Sequence, residues 1–233
     1  MQKLLCILVI CIFCVEMHAQ RFRAGISGGV NITDIDGADT RDNDNDFNKL
    51  GLSFGGIVTT SLNAKWNGQM ELNFTQKGSL QPPDSNNNGY YKIAFSYVEI
   101  PVLVKRKIRF TIRKKPVEKM DFETGLSYGR VVSASLVGNS NYNLPVSSKY
   151  INYNDVSVLA GVNYYFTRNV FLCFRYSNSL IPVIRRNAPT YFNYTYTLNR
   201  GNNMVFQFAL KILFGGGGKV DEVQKPPPPE DGQ

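Results

Sequence analysis

From Arg21 onwards, apolar and polar residues alternate with period two, the spacing of a strand with unlike faces. In the first run, RFRAGISGGVN, Phe22, Ala24, Ile26, Gly28 and Val30 fall on one side. Arg23, Gly25, Ser27, Gly29 and Asn31 fall on the other. The second run covers about Lys49 to Ser61, with Leu50, Leu52, Phe54 and Val58 in phase. The third covers about Gly68 to Lys77, where Met70, Leu72 and Phe74 alternate with Glu71, Asn73, Thr75 and Lys77. A fourth spans about Tyr90 to Lys105, with Val98, Ile100, Val102 and Val104 opposing Tyr97, Glu99, Pro101 and Leu103. The fifth, about Met120 to Ser133, sets Phe122, Leu126 and Tyr128 against Glu123, Gly125, Ser127 and Gly129. The remaining runs are about Asn154 to Phe166, Val170 to Leu180 and Asn202 to Phe214.

The connections alternate in kind. Long polar segments are expected at about Ile32 to Asn48, at GSLQPPDSNNNG, after Ser133 and after Leu180. Shorter links are expected at Asn63 to Asn67, at a basic connection from Lys105 to Lys119, and at Thr167 to Asn169. Eight strands with alternating short and long connections are the pattern of an eight-stranded antiparallel transmembrane β-barrel of the outer-membrane type. The face chemistry agrees. One face is aliphatic and aromatic and suits lipid. The other carries Gly, Ser, Asn, Thr and charges, too polar for the core of a soluble sandwich. The short turns would face the periplasm and the long loops the exterior.

A polar interior of eight strands has room for side chains and little else. Arg23, Glu71, Lys77, Glu99, Glu123, Arg175 and Lys211 fall on that face and are expected to form a charge network, since an unpaired buried ion is costly. Cys173 falls there too, as a small inert residue.

The ends differ from the middle. Met1 to Lys3 are basic, Leu4 to Val15 apolar, and Ala19 stands before a cut. Residues 1–19 thus read as a signal peptide, 20–214 as the barrel, and 215–233 as a Gly/Pro-rich disordered periplasmic tail. Of the 233 residues, the single histidine, His18, lies in the signal. The mature chain therefore has no Ser-His-Asp triad and no His-ligated metal site, and the expectation is a non-enzymatic protein without catalytic residues. Cys6, Cys11 and Cys14 also lie in the signal, which leaves Cys173 without an intrachain disulfide partner.

Two charged segments change the picture. Asp34, Asp36, Asp39, Asp42, Asp44 and Asp46 cluster in the first outer loop. Clustered carboxylates suit a hard cation, so calcium is the one candidate cofactor, although EF-hand spacing is absent. A solvated acidic loop sharing divalent ions with lipopolysaccharide is the competing reading. Lys105, Arg106, Lys107, Arg109, Arg113, Lys114 and Lys115 form a basic periplasmic turn. It suits anionic lipid head groups or an acidic protein partner. Despite a net charge of +8, nucleic acid is not an expected partner in this compartment.

The segments AGISGGVN, MELNFTQKGS, YVEIPVLVK, FETGLSYG and FLCFRYS resemble the PorT-like outer-membrane β-barrel family of Bacteroidetes. The resemblance runs in order from about Arg21 to Phe214. It implies an integral outer-membrane barrel. Through the founding member of the family name, it also implies an accessory or scaffold role in protein export of the type IX secretion kind, with periplasmic or outer-membrane protein partners. The long basic turn and the proline tail depart from the family's compact pattern. The alternatives are a protein that binds through its surface loops and a small-solute pore.

Overall fold

Residues with β-branched or aromatic side chains on every second position favour extended backbone, and in this chain they leave each strand with one apolar face. The computed structural model describes residues 22–38, 47–81, 90–112, 115–138, 151–184 and 198–214. Eight strands run in order: β1 (Arg23–Ala38), β2 (Lys49–Ser61), β3 (Trp66–Gln81), β4 (Tyr91–Ile112), β5 (Lys115–Gly138), β6 (Asn154–Tyr165), β7 (Val170–Ser179) and β8 (Leu198–Leu213). Each pairs antiparallel with its neighbour, and β8 returns to β1 to close the barrel. The closing register runs from Gly25 opposite Leu213 to Ala38 opposite Leu198. Closure leaves no sheet edge inside the wall, so its backbone groups pair strand to strand without water.

The apolar face points outward. Phe22, Ile26, Val30, Leu50, Leu52, Phe54, Met70, Leu72, Val102, Leu126, Leu172, Phe174 and Leu210 are all exposed. A soluble monomer rarely carries a contiguous apolar patch beyond a few hundred Å². A belt that circles the barrel belongs in lipid. Rings of Tyr164 and Phe166 sit edge-on at 5.3 Å where β6 ends, as aromatic residues do at a membrane interface. Among the described residues no helix is long and apolar enough to cross a membrane; strands make the crossing.

The strands are longer than the alternation alone suggests. β1 runs on to Ala38, so Asp34 and Asp36 belong to a strand and not to the first loop. β3 continues through Gly78 to Gln81, inside the segment expected as a loop. Gly78 has φ of 138°, a conformation a side chain resists, and a Cβ there would strike the carbonyl oxygen of Ile93. The largest difference lies between β4 and β5. The segment expected as a turn from Lys105 to Lys119 is almost entirely strand, with Lys107 opposite Asp121 and Ile112 opposite Lys115. The signal segment, the tail and the larger parts of the long connections lie outside the described residues.

At one end lie the β2–β3, β4–β5 and β6–β7 connections together with Phe22 and Phe214. Phe214 N donates to Ala24 O at 2.6 Å there. By the rule for bacterial barrels this end faces the periplasm.

Candidate functional site

The barrel interior is stacked in layers, and its composition follows from the inward phase of each strand. Nearest the periplasm, Ile57, Phe171 and Leu213 are buried, and Tyr165 stacks on Phe171 at 4.7 Å. This is a small apolar floor.

Above the floor lies an ionic layer built by β3, β4, β5, β6, β7 and β8. Arg175 is its hub. Its Nη1 and Nη2 donate to Glu71 Oε2 and Oε1 at 3.0 and 2.7 Å, and its Nε donates to Glu123 Oε1 at 2.6 Å. The planar guanidinium suits this task, because its donors diverge in one plane and reach two carboxylates at once. Lys211 Nζ adds a third contact to Glu71 at 2.7 Å. Asn73 Nδ2 donates to Glu71 Oε2 at 2.8 Å, and Gln69 also donates to Glu71. Asn163 Nδ2 bridges Asp121 Oδ1 at 2.6 Å and Glu123 Oε2 at 2.8 Å. Tyr165 Oη donates to Asp121 Oδ2 at 2.6 Å. Cys173 is fully buried beside the layer, with Sγ 3.4 Å from Glu123 Oε1.

A second ionic layer lies nearer the exterior. Lys77 Nζ sits 2.5 Å from Glu99 Oε1 and 3.1 Å from Asp155 Oδ2, and 4.9 Å from the centre of the Tyr97 ring. Asn203 Nδ2 donates to Tyr97 Oη at 3.0 Å. Between the layers is a cavity of about 20 Å³, lined by Thr75, Ser127, Ser157, Ser177 and Gln207 between Lys77 and Arg175. Its size and polar lining suit a single water. Thr75 Oγ1 and Ser127 Oγ have no protein hydrogen-bond partner and line this space.

The outer mouth is apolar again. Ile35, Ile93, Phe95, Tyr97 and Val131 on the strands pack with Ile151, Val183 and Ile184 from the connections. Bridges from Ile184 to Ile151 and to Gly201 hold this seal in place. The interior is thus ionic at its centre and apolar at both ends.

Six of the seven residues expected in the charge network are members of these layers. Arg23 is not. It stands at the periplasmic rim, two register positions below Glu71, and its Nη2 donates to Asn169 Oδ1 at 2.6 Å. It ties β1 to the β6–β7 turn. Lys105, expected in the basic turn, is instead buried inside the barrel, with Nζ 3.7 Å from Glu123 Oε2 and 4.4 Å from the Phe171 ring centre. Arg106 and Lys107 are exposed on β4, and Arg106 lies over Trp66 with its guanidinium carbon 5.5 Å from the ring. Arg109 and Lys115 are strand residues; Arg113 and Lys114 lie outside the described residues.

The acidic segment is divided in the same way. Asp34 is buried on the inner face of β1, where Ser79 Oγ donates to it at 2.8 Å. Asp36 is exposed on that strand, and Asp39, Asp42, Asp44 and Asp46 lie outside the described residues. Asp121, Asp155, Asn163 and Tyr97 were not expected in the interior network. The alternation carried a signal for all four, with Tyr97 in phase with Glu99 and Asn163 in phase with Asp155. Asp155 stands in phase with Ser157 and Leu159, and Asp121 stands two residues before Glu123.

No curated protein matches this chain. Among solved structures, it is similar to Ail, the attachment invasion locus protein of Yersinia pestis, in a complex with the heparin analogue sucrose octasulfate. That likeness has 12% identity, covers 83% of this chain and 99% of Ail, and has a TM-score of 0.45. Neisserial surface protein A aligns at 14% identity over 83% of this chain and 97% of its own, with a TM-score of 0.43. Residues 17–185 match the outer membrane protein beta-barrel domain. With that match, the lipid-facing belt and the closed eight-stranded wall, the chain belongs to the outer membrane protein beta-barrel domain family and resides in the outer membrane.

Proposed function

We propose that this barrel is a non-enzymatic scaffold in the outer membrane, an accessory to envelope protein export of the type IX kind, working through partners on its periplasmic side. One observation carries the reading. The interior is filled by paired charges and sealed by apolar residues at both ends, and the cavity of about 20 Å³ between its layers has room for about one water. Among the described residues, a wall so filled leaves little room for a solute or a substrate. What the chain offers to partners is outside the wall. The long basic β4–β5 hairpin projects on the periplasmic side and is the natural point of engagement. The PorT-like resemblance of the strand segments supports the same direction.

The test is deletion of the gene followed by quantitation of secreted and surface proteins. Simultaneous loss of many surface proteins, with precursors held in the periplasm, is the expected result. An unchanged surface proteome rejects the export role.

A further inference from the structure

The barrel wall ends before the β4–β5 hairpin does. The β3–β4 ladder stops at Trp66 opposite Arg106, followed only by Lys107 N donating to Lys65 O at 3.0 Å. The β5–β6 ladder stops at Met120 opposite Tyr164. Beyond those points Ile108 pairs with Met120 and Phe110–Ile112 with Lys115–Val117, with a register shift between Ile108 and Phe110, and residues 108–112 and 115–119 meet no other strand among the described residues. From Lys107 to Ile112 the ribbon reaches about 20 Å past the wall at roughly 3.3 Å per residue. Both of its outer edges therefore present backbone donors and acceptors that no strand of the barrel takes up.

The two edges are not equivalent. The β5 edge contains Pro116, which has no N–H to give and blunts strand addition. The β4 edge, KIRFTI, contains no proline and consists mostly of residues that favour strands. The hairpin is also strongly one-signed: Arg106, Lys107, Arg109, Arg113, Lys114, Lys115 and Lys119 stand against the single acid Glu118. An isolated two-stranded ribbon is marginal in water and gains from a third strand.

We propose that the β4 edge from Lys107 to Ile112 is a docking site for an extended acidic segment of a periplasmic protein, which adds to it as a strand. Backbone hydrogen bonds hold such a strand in register, and the basic hairpin selects for Asp and Glu on it. A lipid surface would answer the charge but would leave the paired geometry of the edge unused. The proposal rests on the periplasmic-partner reading above, and its test is independent of any export phenotype.

The full chain in zwitterionic phosphatidylcholine nanodiscs is titrated against a fluorescent peptide of alternating Glu and Thr, followed by anisotropy. The same peptide N-methylated on alternate residues keeps its charge and loses one hydrogen-bonding edge. The expected result is saturable binding of the first peptide and binding weaker by about tenfold or more for the second, a loss of at least about 1.4 kcal/mol. Replacing residues 109–119 by an Asn-Gly turn, which keeps Ile108 opposite Met120, should abolish binding in a chain that still folds. Equal binding of both peptides would overturn the proposal in favour of a plain electrostatic surface. Absence of peptide binding, with hairpin-dependent capture of phosphatidylglycerol vesicles, would overturn it in favour of lipid. Peptide binding with an unchanged surface proteome on gene deletion would keep the docking edge and remove only the export role.

Discussion

Arg175 shows how a single residue organises the interior. It contacts Glu71 through two nitrogens and Glu123 through a third, so it joins β7 to β3 and β5 across the lumen. Desolvating three charges is expensive, and the layer is stable only because each carboxylate is met by several donors. Removing the hub strands Glu71 with Lys211 and leaves Glu123 with the more distant Lys105. Arg175→Met should therefore destabilise the barrel by about 3–5 kcal/mol. Arg175→Lys should recover only part of that loss, since a point ammonium cannot span both carboxylates in the same plane. Urea unfolding of the chain refolded into lipid vesicles measures both. A cost below about 1 kcal/mol for Arg175→Met would show that the layer reorganises around Lys211 and Lys105.

At the scale of the elements, strand number, phase and outward face were legible in the sequence, and strand ends were not. Lipid makes period-two alternation obligatory on the outer face, so Leu50, Leu52 and Phe54, or Val98, Ile100 and Val102, announce themselves. Where strands leave the hydrocarbon that constraint lapses. Asp34 and Lys105 read as loop residues because charge ordinarily means solvent, yet both are buried in the lumen, as is Asp121 at the start of the fifth run. The apolar seal was hidden for the opposite reason. Ile151 stands alone in a polar connection and Val183 and Ile184 end the short run LIPVI, where no period-two alternation marks them. The candidate network was legible where it coincided with the strands' alternation, as at Glu71, Glu123 and Arg175, and lost where it lay past the expected ends. The hairpin supplies a test of this separation between wall and extension. Residues 109–119 contribute no pairing to the closed barrel among the described residues. Replacing 109–119 by an Asn-Gly turn, which keeps Ile108 opposite Met120, should leave heat-modifiable migration on gels intact and change stability by no more than about 1 kcal/mol. Loss of the heat-modifiable form would show that the ribbon is needed to assemble the wall.

At the scale of the whole molecule, three barriers lie in series along the axis. The periplasmic floor of Ile57, Phe171 and Leu213 comes first. The two ionic layers follow, and the apolar outer seal closes the stack. An ion crossing this path meets apolar constrictions that exclude water and fixed charges already neutralised by their neighbours, so neither end attracts it nor lets it through. Reconstituted into planar bilayers, the wild-type chain should give no discrete conductance steps. Barriers in series also dictate the behaviour of variants. Opening the outer seal alone, with Val183→Ser and Ile184→Ser, should still give no steps, because the ion layers and the floor persist. Removing Arg175 and Lys211 alone should fail in the same way, with both seals intact. Only a chain altered at the seal, at both ionic layers through Arg175 and Lys77, and at Phe171 together should conduct. Steps from the wild type, or from the seal variant alone, would mean that the layers separate in the membrane, and would move the function from scaffold towards pore. Silence through the single-site series would leave the outside of the wall as the place where this protein acts.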